Sequence, residues 1–127
     1  MKLTKVFKTL LTEIASIDAI GRAIDGKQVV SIFYDGDEPG GRGLRTIEPV
    51  CFFVDRRSGT KNLAAWDREG ASHKVAVGDG VLPGWRLFSL NKILSFNPTG
   101  DTFNEMRPGF NPTGDKRASK IIYLAKF

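Results

Sequence analysis

Of the side chains best suited to act as nucleophiles, bases or metal ligands, the sequence holds one cysteine, Cys51, and one histidine, His73. A structural zinc site takes about four Cys or His ligands, so these two cannot build one. One cysteine cannot close a disulfide within its own chain, which fits a reducing compartment. A Cys–His nucleophilic pair remains arithmetically open. Cys51, however, stands in the run Val50-Cys51-Phe52-Phe53-Val54, where a small buried thiol is the expected state. His73 sits in the polar stretch Ser72-His73-Lys74 and reads as a lone surface or partly buried imidazole. Asp35, Asp37 and Glu38 could supply paired carboxylates, but their Gly- and Pro-rich surroundings offer no apolar pocket to drive their pKa values apart. The Gly-Gly-Arg-Gly run at 40–43 follows a strand pattern and opens no helix, and a helix N-terminus is what lets such loops grip phosphate.

What remains is cationic groups interleaved with aromatic rings. Arg45, Arg56, Arg57, Lys61, Arg68, Lys74, Arg86 and Lys92 lie close in the chain to Tyr34, Phe53, Trp66 and Trp85. Guanidinium forks match phosphate oxygens, and aromatic faces on a sheet take unstacked bases. The same pattern describes solubilising charges around core aromatics, and both readings stay open. A net charge of +5, from 19 Lys+Arg against 14 Asp+Glu, tilts towards an anionic partner. No activated nucleophile, metal constellation or cofactor motif is found, so neither an enzyme nor a bound cofactor is expected.

The elements that must position these groups follow from periodicity. Leu3, Phe7, Leu10, Leu11, Ile14 and Ile17 recur at three and four, and Ile17, Ile20 and Ile24 continue the spacing. This predicts one long helix, or two short ones broken near Ser16, ending at Gly26 as a C-terminal cap. The period then changes to two. Strands are predicted over 28–34, 44–54 with Pro49 as a bend or bulge, 61–66, 85–90 and, after a short turn, up to Phe96; 73–77 also alternates. Residues 35–43 read as a loop and 55–59 as a turn. Phe96-Asn97-Pro98-Thr99-Gly100-Asp101 recurs letter for letter as Phe110-Asn111-Pro112-Thr113-Gly114-Asp115. Both copies are predicted as paired β-turns, with a cation site on Asp101 and Asp115 as the weaker alternative. A terminal strand is predicted over 119–126. In 127 residues there is room for one core. The expected fold is mainly β with an N-terminal helix: a small five-stranded barrel of the SH3 or Sm type, capped by one or two helices. No window reaches the ~18 apolar residues of a membrane span and no cleavable leader is recognisable, so a cytoplasmic protein without membrane contact is expected.

The order of these features resembles the WYL domain, a bacterial and phage module built on an Sm-like or SH3-like barrel. The resemblance runs from Ile17 to about Phe96. It rests on the helix Ile17-Asp18-Ala19-Ile20 leading into a strand that ends in Tyr34, on Arg45-Thr46-Ile47-Glu48-Pro49, on Lys61-Asn62-Leu63-Ala64-Ala65-Trp66 at the naming motif, and on Arg86-Leu87-Phe88-Ser89-Leu90-Asn91-Lys92-Ile93 at the closing signature. The chain departs from the family at Lys61 and Asn62, which stand where the Trp and Tyr of the name would be. Ser89, Asn91 and Lys92 replace Arg, Asp and Arg. The resemblance implies a WYL-like domain over 1–96 followed by a C-terminal extension over 97–127, without the helix-turn-helix that usually precedes the module. It looks like a free-standing, phage or accessory version, and dimers are common among WYL-like domains.

Together these readings lead to a non-enzymatic module that binds single-stranded DNA or RNA, or a nucleotide-like ligand. Arg45, Arg86 and Lys92 would hold phosphates while Tyr34 or Trp66 stacks a base, with Arg56, Arg57, Lys61 and Arg68 as further contacts. A sensor or sponge for nucleotide signals, and a regulator that docks on a host or phage protein, are the alternatives.

Overall fold

The computed structural model describes residues 16–36, 42–68 and 84–127. Residues 16–25 form a helix, α1. Its Ile20, Ala23 and Ile24 are buried, at the three-and-four spacing that puts them on one face. The helix closes through the Gly26 amide donating to Arg22 O at 2.9 Å and the Lys27 amide donating to Ile24 O at 3.2 Å. The helix ends at Gly26, as the spacing predicts, and the left-handed residue at this end is the following Lys27, with φ of 48°. The expected apolar stripe from Leu3 to Ile14 and the alternation at 73–77 lie outside the described residues.

Among the described residues six strands follow: β1 (Gln28–Asp35), β2 (Arg42–Asp55), β3 (Lys61–Asp67), β4 (Trp85–Ser89), β5 (Ile93–Thr102) and β6 (Ala118–Leu124). A 3-10 turn, Leu90–Lys92, links β4 to β5. All ladders are antiparallel, in the order β4-β3-β2-β1-β5, with β6 beside β2. β2 serves two neighbours on one edge. Its first half pairs with β1 from Arg42 to Ile47, and its second half with β6 from Cys51 to Asp55. The changeover falls at Pro49, where the β2–β3 register slips between Pro49 and Cys51, as a residue without an N–H demands in a central strand.

The sheet is strongly curled. β1 and β4 stand three strands apart in the ladder order, about 14 Å on a flat sheet. Yet the rings of Tyr34 on β1 and Phe88 on β4 meet edge-on at 4.8 Å, and the Ser89 amide donates to Tyr34 Oη at 3.0 Å. The inner face holds Val30, Ile32, Ile47, Leu63, Ala65 and Phe88, all buried. Among the described residues β4 and β5 share no ladder, so the predicted five-stranded closed barrel becomes an open, six-stranded curled sheet with one N-terminal helix.

β5 runs on past Phe96, with Asn97 and Pro98 pairing with Ser31 and Val30, and β6 pairs with β2 in the same sheet. The repeated hexapeptide does not form two like turns. Its second copy is a β-turn, with the Gly114 amide donating to Asn111 O at 3.0 Å and the Thr113 amide to Asn111 Oδ1 at 3.0 Å. Its first copy lies inside β5, where Thr99 Oγ1 donates to Val29 O at 3.1 Å and an irregularity in the ladder lets Thr102 pair with Gln28. No helix among the described residues is long and apolar enough to cross a membrane.

α1 approaches the sheet closely at Gly21, where an added Cβ would run into the Tyr123 ring. Gly21→Ala should therefore destabilise the fold by about 1–2 kcal/mol in urea titrations, although alanine favours a helix by about 1 kcal/mol. The loss should shrink in a Tyr123→Leu background, where the ring is gone.

Candidate functional site: three destinations for the cationic residues

The nine residues expected to form one basic and aromatic patch go to different places. On the inner face, Tyr34 is 7% exposed, with its ring against Phe88 and its hydroxyl accepting the Ser89 amide. No face of it is open to a base. Arg45 pairs across the ladder with Ile32, which turns it inward with the buried set. Its side chain is 5% exposed and its Nη1 lies 3.5 Å from Asp67 Oδ2. Asp67 is itself wholly buried and pairs with Ile47 on β2. This is an interior ion pair and not a phosphate clamp. Arg86, opposite Ala65 on β4, shares that face and is partly buried. Lys92 sits on the 3-10 turn.

Trp66 and Arg68 belong to the outer face. Glu48 stands opposite Trp66, and Trp66 opposite Trp85. The Glu48 carboxylate is buried and accepts from Arg68 Nε at 2.8 Å and from Arg107 Nε and Nη2 at 3.2 and 3.0 Å. The Arg107 guanidinium lies over the Trp66 ring, 5.1 Å from its centroid, while Trp85 meets the same ring edge-on at 5.4 Å. Trp85 Nε1 donates to Pro108 O at 2.6 Å. The ring expected to stack a base is already covered by an arginine of the C-terminal segment. Burial alone would raise the Glu48 pKa, but the hydrogen bonds from Arg107 and Arg68 outweigh it and hold the carboxyl below its ordinary value.

The third group lies at the surface. Asp55 caps the β2–β3 turn, its Oδ1 accepting the amides of Arg57 at 2.9 Å and Ser58 at 3.1 Å; these bonds hold its carboxyl below the usual range. Arg56 and Arg57 stand exposed on that turn. The Arg56 amide donates to Arg117 O at 2.8 Å, which ties the turn to the segment before β6. One step into the sheet, Val54 pairs with Lys61 on β3 and with Lys120 on β6. Lys61 and Lys120 thus share one row across three strands, about 10 Å apart. Arg56, Arg57, Lys61, Lys116, Arg117 and Lys120 crowd this end of the sheet, against the carboxylates Asp55 and Asp115. The former caps the turn and the latter is bound by Arg117 at 2.6 Å. Sequence reasoning misses Lys116 and Lys120 because they follow the repeat, far along the chain from the other cations. Their signal is the Lys-rich stretch 116–120 beside a predicted terminal strand.

Other chemistry is sparse. Cys51 is a buried free thiol, and burial pushes its pKa up, away from nucleophilic use. His73, Asp37, Glu38 and Lys74 lie outside the described residues. No group of three or more His, Cys, Asp or Glu among the described residues could hold a metal ion.

Two outcomes follow from this sorting. Arg45→Ala, which removes the guanidinium beside the buried Asp67 carboxylate, should cost about 3 kcal/mol or more, while Arg57→Ala should stay within about 0.5 kcal/mol in the same urea titration. Glu48→Gln should cost about 1–3 kcal/mol, less than for a fully buried pair because both arginines keep some solvent. Because the folded pKa of Glu48 is depressed, its contribution is complete above the unfolded carboxylate value of about 4.3 and is lost as pH falls through the folded one. The acid limb of the stability profile should accordingly be shallower in Glu48→Gln than in the parent.

The sequence matches no protein-family model, and no curated protein matches it. Among solved structures, the fold is similar to part of the proteasome accessory factor B/C (PafBC) of Arthrobacter aurescens, with a TM-score of 0.54 and 23% identity. The alignment covers 77% of this chain and 13% of that one, so the likeness is one of fold over a small part of a longer protein.

Proposed function

We propose that this chain is a non-enzymatic regulatory binding module whose ligand is single-stranded nucleic acid or a nucleotide-like anion. The observation that carries the reading is the gathering of Arg56, Arg57 and Lys61 with Lys120 at one end of the sheet. Cations spaced by strand pairing can meet successive phosphates of an extended strand, and an exposed ring is not required for that contact. Base stacking by Tyr34 or Trp66 has no part in this reading, since Tyr34 is buried and Trp66 is covered by Arg107. The WYL resemblance supports a module that recognises a ligand rather than transforms one, and the likeness to a part of PafBC agrees with the fold that resemblance implies.

Fluorescence anisotropy with short single-stranded DNA and RNA at low salt tests the reading. Binding tighter than about 100 μM is expected, and weakening by roughly twentyfold between about 50 and about 200 mM salt if three phosphates are contacted. An Arg57→Gln, Lys61→Gln double variant should bind at least about tenfold more weakly. Absence of binding at about 100 μM would overturn the nucleic-acid reading.

A further inference from the structure

Beside the β2–β3 turn runs an open groove of about 300 Å3 whose lining includes Arg56, Asn111, Thr113, Lys116, Ser119 and Lys120. One wall is the β-turn made by the second copy of the repeated hexapeptide, a motif to which the function above gives no role. Gly114, at φ of 100° and packed where a Cβ would fall 2.6 Å from Ile121, holds that turn against β6.

The charge inside the groove is one-sided. Arg56, Lys116 and Lys120 make no ion pair with any carboxylate among the described residues. The hydrogen bonds of the Arg56 guanidinium are two long ones from Nη2, to Lys116 O at 3.5 Å and Ala118 O at 3.4 Å, which orient it and leave Nε and Nη1 uncommitted. The single lining carboxylate, Asp115, is already taken by Arg117, with Nε and Nη2 donating at 2.8 and 2.6 Å. That pairing holds the Asp115 carboxyl below its ordinary value and cancels its repulsion of an anion. Three cations against a neutralised acid suit a phosphate group far better than a neutral or cationic ligand, while the wall hydroxyls of Thr113 and Ser119 donate to Asn111 Oδ1 and Val54 O.

We propose that this groove is a phosphate-binding subsite, with Arg56, Lys116 and Lys120 as its cationic contacts and the second copy of the hexapeptide as its wall. The inference deepens the binding function above and rests on it for the nature of the ligand. The phosphate belongs either to a nucleic-acid strand or to a free phosphorylated small molecule.

The test uses the full isotope-labelled chain titrated with pyrophosphate, together with anisotropy on a 5′-phosphorylated single-stranded oligonucleotide. Pyrophosphate should shift the amides of Gly114, Lys116 and Ser119 saturably, and the Lys116→Gln, Lys120→Gln double variant should abolish those shifts. The same variant should lose about fivefold or more in oligonucleotide affinity, and its salt slope should fall by roughly 0.7 for each phosphate that is no longer neutralised. Arg22→Gln, a matched charge removal on the exposed face of α1, should change neither readout by more than about twofold. Shifts with pyrophosphate but an unchanged oligonucleotide affinity would support the subsite and assign it to a free phosphorylated ligand. Shifts with pyrophosphate and no oligonucleotide binding at all would support the subsite while overturning the nucleic-acid function. Unmoved groove amides together with oligonucleotide binding that the double variant leaves intact would overturn the subsite and leave that function standing.

Discussion

Pro49 is the constraint around which this molecule is arranged. It lies near the centre of a 14-residue strand and has no N–H to give to the ladder. The chain answers with a slip of register between Pro49 and Cys51 against β3. On the other edge β2 leaves β1 and takes up β6, and the Ala125 amide donates to Val50 O at 2.8 Å. The slip also resets the alternation of side chains. Before it, Ile47 shares the inner face with Asp67; after it, Phe52 stands opposite Leu63. One strand thereby serves three partners, and the C-terminal residues become part of the sheet instead of a tail beyond it.

That arrangement decides which charges are spent on folding. Glu48, immediately before the proline, is buried on the outer face and recruits Arg68 and Arg107. Arg107 in turn covers Trp66, so the segment after β5 is held down by a carboxylate and an aromatic ring together. Inside the curl, Arg45 and Asp67 face each other. A carboxylate so deeply buried is tolerated because a guanidinium stands beside it, and either one alone would be costly. Arg56, Lys116 and Lys120, by the β2–β3 turn, have no such claim on them. The acids at that end are engaged by backbone amides and by Arg117, which leaves these three cations facing water.

The repeated hexapeptide shows how far local preference reaches. Identical residues make a hydrogen-bonded β-turn at 111–114 and part of a strand at 96–101. Gly100 and Gly114 both take positive φ, 97° and 100°, so the preference of the glycine survives in each copy. What differs is the neighbour. β1 supplies backbone partners for Phe96, Asn97 and Pro98, while the second copy packs on β6 without joining a ladder and folds on its own Asn111 side chain. Turn propensity amounts to little against a row of ladder bonds, so the predicted turn forms only where no sheet edge is on offer.

Strands β1 to β4 and β6, the first part of β5, the helix that precedes them, the bulge at Pro49 and the burial of Cys51 were legible in the order of residues. Each follows from a property carried within a few positions: a period of two or of three to four, a missing N–H, an apolar run. The assembled fold was needed to show that the sheet of the described residues is open and six-stranded, that Tyr34, Arg45 and Trp66 are occupied within it, and that Lys61 and Lys120 share a row. Composition and spacing count cations without revealing which have a carboxylate opposite. Asp67 is set beside Arg45 by strand register, and Glu48 beside Arg107 by where the segment after β5 lies on the sheet; neither is encoded in a local pattern.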